Sequence, residues 1–290
     1  MKKTLYDYNS VHEGETIYII GSAPCLNDLT SQEREFLKDK TTIGVNYTVE
    51  GIPTLSYSIS AHISPAVYLF EHTNPDMPIF VAFNEGEKRT AFSYMKDFFW
   101  DEERIVIFSS DPGRLPLSRK INSADISLCG NTSVILLSTH LAYIMGAARI
   151  VYIGFDERKN IHFWNGDEAL EQKIQKNIRG ILKSKKYWKD DQYYRRNDLW
   201  AKAHSVHKEF EYILGEVPGY EGQFGTSREV GVTFWGGGDN NIPGLPPASD
   251  NVGDLVRYIR FLTSVGIKTC TLADGGITVE AGCERIEGIA

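Results

Sequence analysis

The chain has 290 residues, 42% of them hydrophobic and 24% charged, with a formal net charge of −7. That length supports one large domain, or a domain with a sizeable appendage, and the acidic balance argues against a general nucleic-acid binder. The basic stretch from Lys183 to Lys189 is local and runs straight into Asp190-Asp191. At the amino terminus, Met1-Lys2-Lys3 is followed by no apolar run, and no later stretch approaches the ~18 consecutive apolar residues of a spanning helix. Neither a signal peptide nor a membrane span is expected, and the protein reads as cytoplasmic. Strands are predicted near 16–21, 41–46, 54–60, 78–83, 104–108, 149–154, 230–235 and 267–272, and helices near 30–38, 88–99, 132–146, 168–182, 197–214 and 250–265. This βα alternation predicts an α/β protein with a doubly wound, largely parallel sheet. Cys25, Cys129, Cys270 and Cys283 lack C-x-x-C spacing, so reduced thiols are expected rather than a zinc site or a disulfide framework.

Three stretches carry chemistry. In the first, Ile17-Tyr18-Ile19-Ile20 has the continuous apolar character of a strand buried on both faces. It runs into Gly21-Ser22-Ala23-Pro24, a small-residue turn of the kind that brings backbone N–H groups close to a phosphate. The dinucleotide fingerprint would need glycines where Ala23 and Leu26 stand, and no Gly-Lys-Ser/Thr follows, so neither that fingerprint nor a Walker loop is present. In the second, Gly130-Asn131-Thr132-Ser133 supplies a turn and hydroxyl caps to an apolar helix with Val134, Leu137, His140, Leu141 and Ile144 near one face. That helix ends at Gly146, and the strand Ile150–Gly154 after it delivers Asp156 to a strand's carboxyl end, where ligands of open α/β sheets bind. There Asp156 would orient a ligand's hydroxyl or cap the next loop. In the third, a strand enters Gly236-Gly237-Gly238 and then Asp239-Asn240-Asn241, where glycines would let the backbone approach a ligand.

Between Asp156 and Gly231 the composition turns charged and aromatic, with Trp164, Tyr187, Trp188, Tyr193, Tyr194 and Trp200. We read this as a helical lid over the sheet's carboxyl edge. The expected organisation is a nucleotide-binding core over 1–156, a helical aromatic lid over 157–229, and a return to the sheet over 230–290.

Taken in order, Gly21-Ser22-Ala23-Pro24-Cys25-Leu26, Gly44-Val45-Asn46, Gly130-Asn131-Thr132-Ser133 and Gly154-Phe155-Asp156 resemble a set of motifs. They are similar to those of the bacterial sialyltransferases built on one Rossmann-like domain, and of their relatives the motility accessory factor glycosyltransferases and a 6-hydroxymethylpterin diphosphokinase. The likeness covers roughly the first two thirds of the chain. Ser22 stands where the sialyltransferases carry asparagine, and Cys25 where serine is usual.

The resemblance implies a transferase taking a CMP-linked sugar, without an obligatory metal or other cofactor, and a glycan or small-molecule acceptor. It implies that Gly21, Ser22, Ala23, Pro24 and Asn46 hold the donor's phosphate and nucleotide, and that the Asn131-Thr132-Ser133 segment contacts ribose or sugar carboxylate. The loop bearing Gly237 and Asn240 would complete the pocket. Its base is a lid histidine, matched best by His204, which shares a helix face with His207 at three-residue spacing; His62 is a second candidate for the mouth of the site. Lid tyrosines would assist phosphate departure, with Tyr187, Tyr193 and Tyr194 available and Arg195 a natural anion clamp. No D-x-D pair is set for a metal-bound nucleoside diphosphate. The other readings are a phosphoryl transferase like the pterin enzyme, and a noncatalytic nucleotide or glycan binder or structural protein on the same fold. A homo-oligomer is compatible with each.

Overall fold

The computed structural model describes residues 3–61, 63–83, 102–111, 127–129, 134–155, 163–164, 167–183, 251–273 and 277–289. Nine strands among them form one sheet: β1 Thr16–Ile20, β2 Thr41–Val45, β3 Tyr57–Ser60, β4 Ile79–Phe83, β5 Ile105–Asp111, β6 Ser127–Cys129, β7 Arg149–Ile153, β8 Lys268–Thr271 and β9 Glu284–Arg285. Their order across the sheet is β6-β5-β4-β3-β2-β1-β7-β8-β9, and every pairing is parallel. The helices are α1 Ser31–Leu37, α2 Ile63–His72, α3 Val134–Ile144, α4 Glu168–Lys183, α5 Asn251–Ser264 and α6 Ile277–Glu280. The fold is α/β with a Rossmann-like parallel sheet, as the alternation predicts. The strand expected near 230–235, the helices expected near 88–99 and 197–214, and most of the aromatic lid lie outside the described residues.

Both faces of the sheet are covered, and the period-2 alternation of the strands shows it. On β1, Ile17 and Ile19 enter one core with α3 and α5, while Tyr18 and Ile20 enter the other with α1, α2 and α4. On β7, Ile150 and Tyr152 join the first core, Val151 and Ile153 the second. This is why the strands read as unbroken apolar runs rather than as alternating ones. The right-handedness of parallel crossovers sorts the helices: steps outward from β1 carry α1 and α2 on one face, and steps in the opposite direction carry α3 and α5 on the other. The winding reverses between β1 and β7, so the crevice outside their carboxyl ends is the place where an open sheet of this kind takes ligands.

Helix α3 departs from the one-faced helix that its sequence suggested. All eleven of its residues are buried, because the sheet lies on one side and α5 and the amino-terminal segment on the others. That segment is zipped to its end: Ser10 N–H donates to the Ile144 carbonyl (2.9 Å), His12 N–H to Met145 (2.7 Å) and Gly14 N–H to Gly146 (2.9 Å). Gly146 ends the helix with φ +102°, as the sequence predicts.

His140 lies inside this packing between the rings of Tyr143 and Tyr258. Burial pushes its imidazole from the usual 6.5 down to about 3, so the folded protein holds it neutral. The unfolded chain protonates it below about pH 6.5, so this contribution to stability is complete above that pH and is lost as pH falls towards 3. Between pH 7 and pH 5 the wild type should lose about 2 kcal/mol more than His140→Phe in urea unfolding. Equal losses would mean that His140 stays uncharged in the unfolded chain as well, or is protonated in the folded one.

Candidate functional site

The reversal of winding at β1 and β7 is built on a backbone contact between two glycines. A Cβ on Gly21 would stand 2.3 Å from the Gly154 carbonyl oxygen and 2.8 Å from the Phe155 ring; one on Gly154 would stand 2.7 Å from the Gly21 carbonyl oxygen. Gly154 also takes φ +76°, which favours glycine. The turn after β1 is hydrogen-bonded to the end of β7: Gly21 N–H donates to the Ile153 carbonyl (2.7 Å) and Ala23 N–H to the Gly154 carbonyl (2.9 Å). Two amides that the sequence offered to an anion are thus directed at β7. The small residues at 21 and 23 have a packing duty that local sequence did not reveal.

Phe163 and Trp164 form a short strap tied to this turn. The Phe163 N–H donates to the Ser22 carbonyl (2.8 Å), and the Asn27 side-chain Nδ2 donates to the Phe163 carbonyl (2.7 Å). Phe163 is thereby held against the turn after β1. Trp164 then docks edge-on against Tyr47 (5.8 Å between ring centroids), which meets Tyr68 of α2 at 5.2 Å. Helix α4 follows on the same face, where Lys173 Nζ grips both Glu50 oxygens at 2.7 and 2.8 Å and Tyr68 donates its hydroxyl to the same carboxylate. Burial and this bond to Glu50 raise the Tyr68 phenol well above its ordinary range, so it remains a donor.

Beside the strap, the end of β2 carries Asn46 with φ +52°, a left-handed conformation that asparagine tolerates better than most residues. The Ser60 hydroxyl, at the carboxyl end of β3, donates to Asn46 Oδ1 at 3.0 Å. The fully buried Thr48 hydroxyl donates to the Val45 carbonyl and lies 3.2 Å from the Ile20 carbonyl, tying the ends of β1 and β2 together. Arg34 of α1 braces the same region through backbone carbonyls, with Nη1 to Gly51 at 2.6 Å, Nη2 to Leu26 at 2.7 Å and Nε to Leu29 at 3.3 Å. Thr48→Val keeps the shape and removes the hydroxyl, and should lower unfolding free energy by about 1–2 kcal/mol. An unchanged urea midpoint would show that Thr48 contributes shape alone.

The structure therefore brings Gly21, Ser22, Ala23, Pro24 and Asn46 to neighbouring strand ends, with Gly154 packed directly against Gly21. Of the side chains there, Ser22 and Asn46 are half-buried, uncharged donors and acceptors able to meet a ligand, whereas Thr48 and Ser60 are fully buried and bonded within the protein. Asn131, Thr132, Ser133, Asp156, Tyr187, Tyr194, Arg195, His204, Gly237 and Asn240 lie outside the described residues, as does His62. Residue 130 follows β6 directly and 156 follows Phe155, so both segments leave from carboxyl strand ends. Sequence reasoning did not single out Ser60, Thr48, Arg34 or the Glu50–Lys173 pair. Among the described residues, no helix is long and apolar enough to cross a membrane. No protein-family model matches the chain, and no curated protein matches it at a significant level.

Proposed function

We propose that this protein is a glycosyltransferase of the sialyltransferase-like class that takes a CMP-linked sugar and transfers it with inversion. The observation that carries the reading is the meeting of the Gly21–Pro24 turn, Asn46 and Gly154 on the neighbouring carboxyl ends of β1, β2 and β7, where the winding of the sheet reverses. In this reading the nucleotide lies along the edge held by Asn46 and the turn's side chains. His204 takes the acceptor's hydroxyl proton as its oxygen bonds to the anomeric carbon, and the bond from that carbon to the phosphate oxygen breaks to release CMP. Tyr187, Tyr194 and Arg195 neutralise the charge growing on the departing phosphate. Calorimetric titration against CMP, CDP and ATP, with and without Mg²⁺, tests the assignment. Metal-independent CMP binding supports it, whereas Mg²⁺-dependent ATP binding with no response to CMP replaces it with the pterin-kinase-like reading.

One observation favours a second reading, a noncatalytic nucleotide or glycan binder. Ser22 replaces the family's asparagine, and the turn directs the amides of Gly21 and Ala23 to β7 and the Ser22 carbonyl to Phe163. Hydrolysis of a CMP-sugar by the purified protein separates the two. Turnover abolished by His204→Ala excludes the binder, and CMP binding without turnover over a wide acceptor panel favours it.

A further inference from the structure

Among the described residues at these strand ends, Asn46 is the one polar side chain on a left-handed backbone, a conformation that costs most non-glycine residues about 1–2 kcal/mol and asparagine less. At a strand end such a conformation turns the side chain away from the direction that the pleat would impose. The amide is held there by a single described contact, the 3.0 Å hydrogen bond from Ser60 Oγ to Oδ1. An asparagine amide has a carbonyl that accepts and an NH₂ that donates, and rotation by half a turn exchanges them. A donor on Oδ1 fixes which is which. With Oδ1 committed to β3, Nδ2 is presented on the opposite side, and among the described residues no hydrogen bond from it is recorded. Ser60 is fully buried and sits where β3 ends, one strand from Asn46 and fourteen residues away in sequence.

We infer that Ser60 is a positioning residue: its hydroxyl locks the Asn46 amide so that Nδ2 donates to an acceptor oxygen of the bound nucleotide. This rests on the nucleotide-binding reading above and adds to it a direction of hydrogen bonding. The acceptor is a phosphate oxygen or a ring carbonyl, and both are oxygens that cannot donate in return. A neutral amide placed in this way binds such an oxygen without the cost of desolvating a charge. Locking its orientation before binding removes the rotamer freedom that a loose amide would lose on contact.

The test is a double-mutant cycle read by CMP titration. Asn46→Gly keeps a residue suited to positive φ and removes the amide, and Ser60→Ala removes the hydroxyl alone. Each should weaken CMP binding about tenfold, and the pair should weaken it no more than Asn46→Gly does, because Ser60 acts only through the amide. Without ligand, the Asn46 side-chain NH₂ resonances, assigned by their loss in Asn46→Gly, should shift in Ser60→Ala. Repeating the cycle with cytidine locates the acceptor: loss with CMP alone puts it on the phosphate, and equal loss with both puts it on the base. Wild-type affinity in Ser60→Ala, a full further loss on adding it to Asn46→Gly, or unmoved NH₂ resonances would each overturn the role of Ser60 and leave the nucleotide reading standing. Failure of the wild type to bind any nucleotide would overturn that reading and this inference together.

Discussion

Gly21→Ala should destabilise the protein by about 3 kcal/mol or prevent its accumulation, although it adds one methyl group. The methyl would stand 2.3 Å from the Gly154 carbonyl oxygen, well inside contact distance, and it cannot be accommodated by rotating a side chain. Both backbones are held where they are: Gly21 and Ala23 donate to Ile153 and Gly154, and β1 and β7 are paired along their length. Relief would require the ends of the two central strands to part, with Ile20 and Ile153 on the inner side of the opening. Gly282 supplies the control. It has φ +91° with nothing within 4 Å of a new Cβ, so Gly282→Ala incurs only the left-handed strain, about 1–2 kcal/mol. Urea unfolding of the two variants distinguishes packing from backbone preference. A Gly21→Ala protein as stable as wild type would mean that the turn does not rest on β7.

The strands were legible because each element's own residues carry the signal. Ile17 to Ile20 and Ile150 to Ile153 are short apolar runs bounded by glycine, and a parallel strand covered on both faces reads in that way. Helix α2 was not anticipated, although Pro65 in its first turn marks a helix start, because the ten-residue segment Ile63–His72 follows a strand with little to separate them. The three-residue β6 has too little sequence for any periodicity, and it pairs with β5 only over Ser109–Asp111, beyond the stretch of β5 that pairs with β4 up to Ser109. Within the site the limit is of another kind. Asn46 could be picked out because it closes the Gly44-Val45-Asn46 motif on which the resemblance rests, but its partner Ser60 looks like any polar strand residue until the register of β2 on β3 brings the two together. Gly21 was legible as a glycine with a reason, and the reason lay in Gly154, more than a hundred residues on.

His204→Ala should lower kcat by about 10²–10⁴-fold with little change in CMP affinity, the largest effect on activity expected of any single side chain here. The asymmetry follows from the division of labour in the proposed reaction. The side chains described at these strand ends, Ser22 and Asn46 with the buried Thr48 and Ser60 behind them, do not titrate near neutrality, so the proposed reaction sends the acceptor's proton to a group elsewhere. A base that touches the acceptor alone contributes to the transition state and not to nucleotide binding. The wild-type rate should rise with pH through the titration of an imidazole, and that limb should vanish in His204→Ala. His207→Ala is the internal control, since it stands three residues from His204 in the sequence and the proposed reaction gives it no contact with the acceptor. A larger loss in His207→Ala would transfer the role of base to that residue. Full activity in both variants would remove histidine from residues 204 and 207 as the source of the base and turn attention to His62, two residues after Ser60 in the sequence.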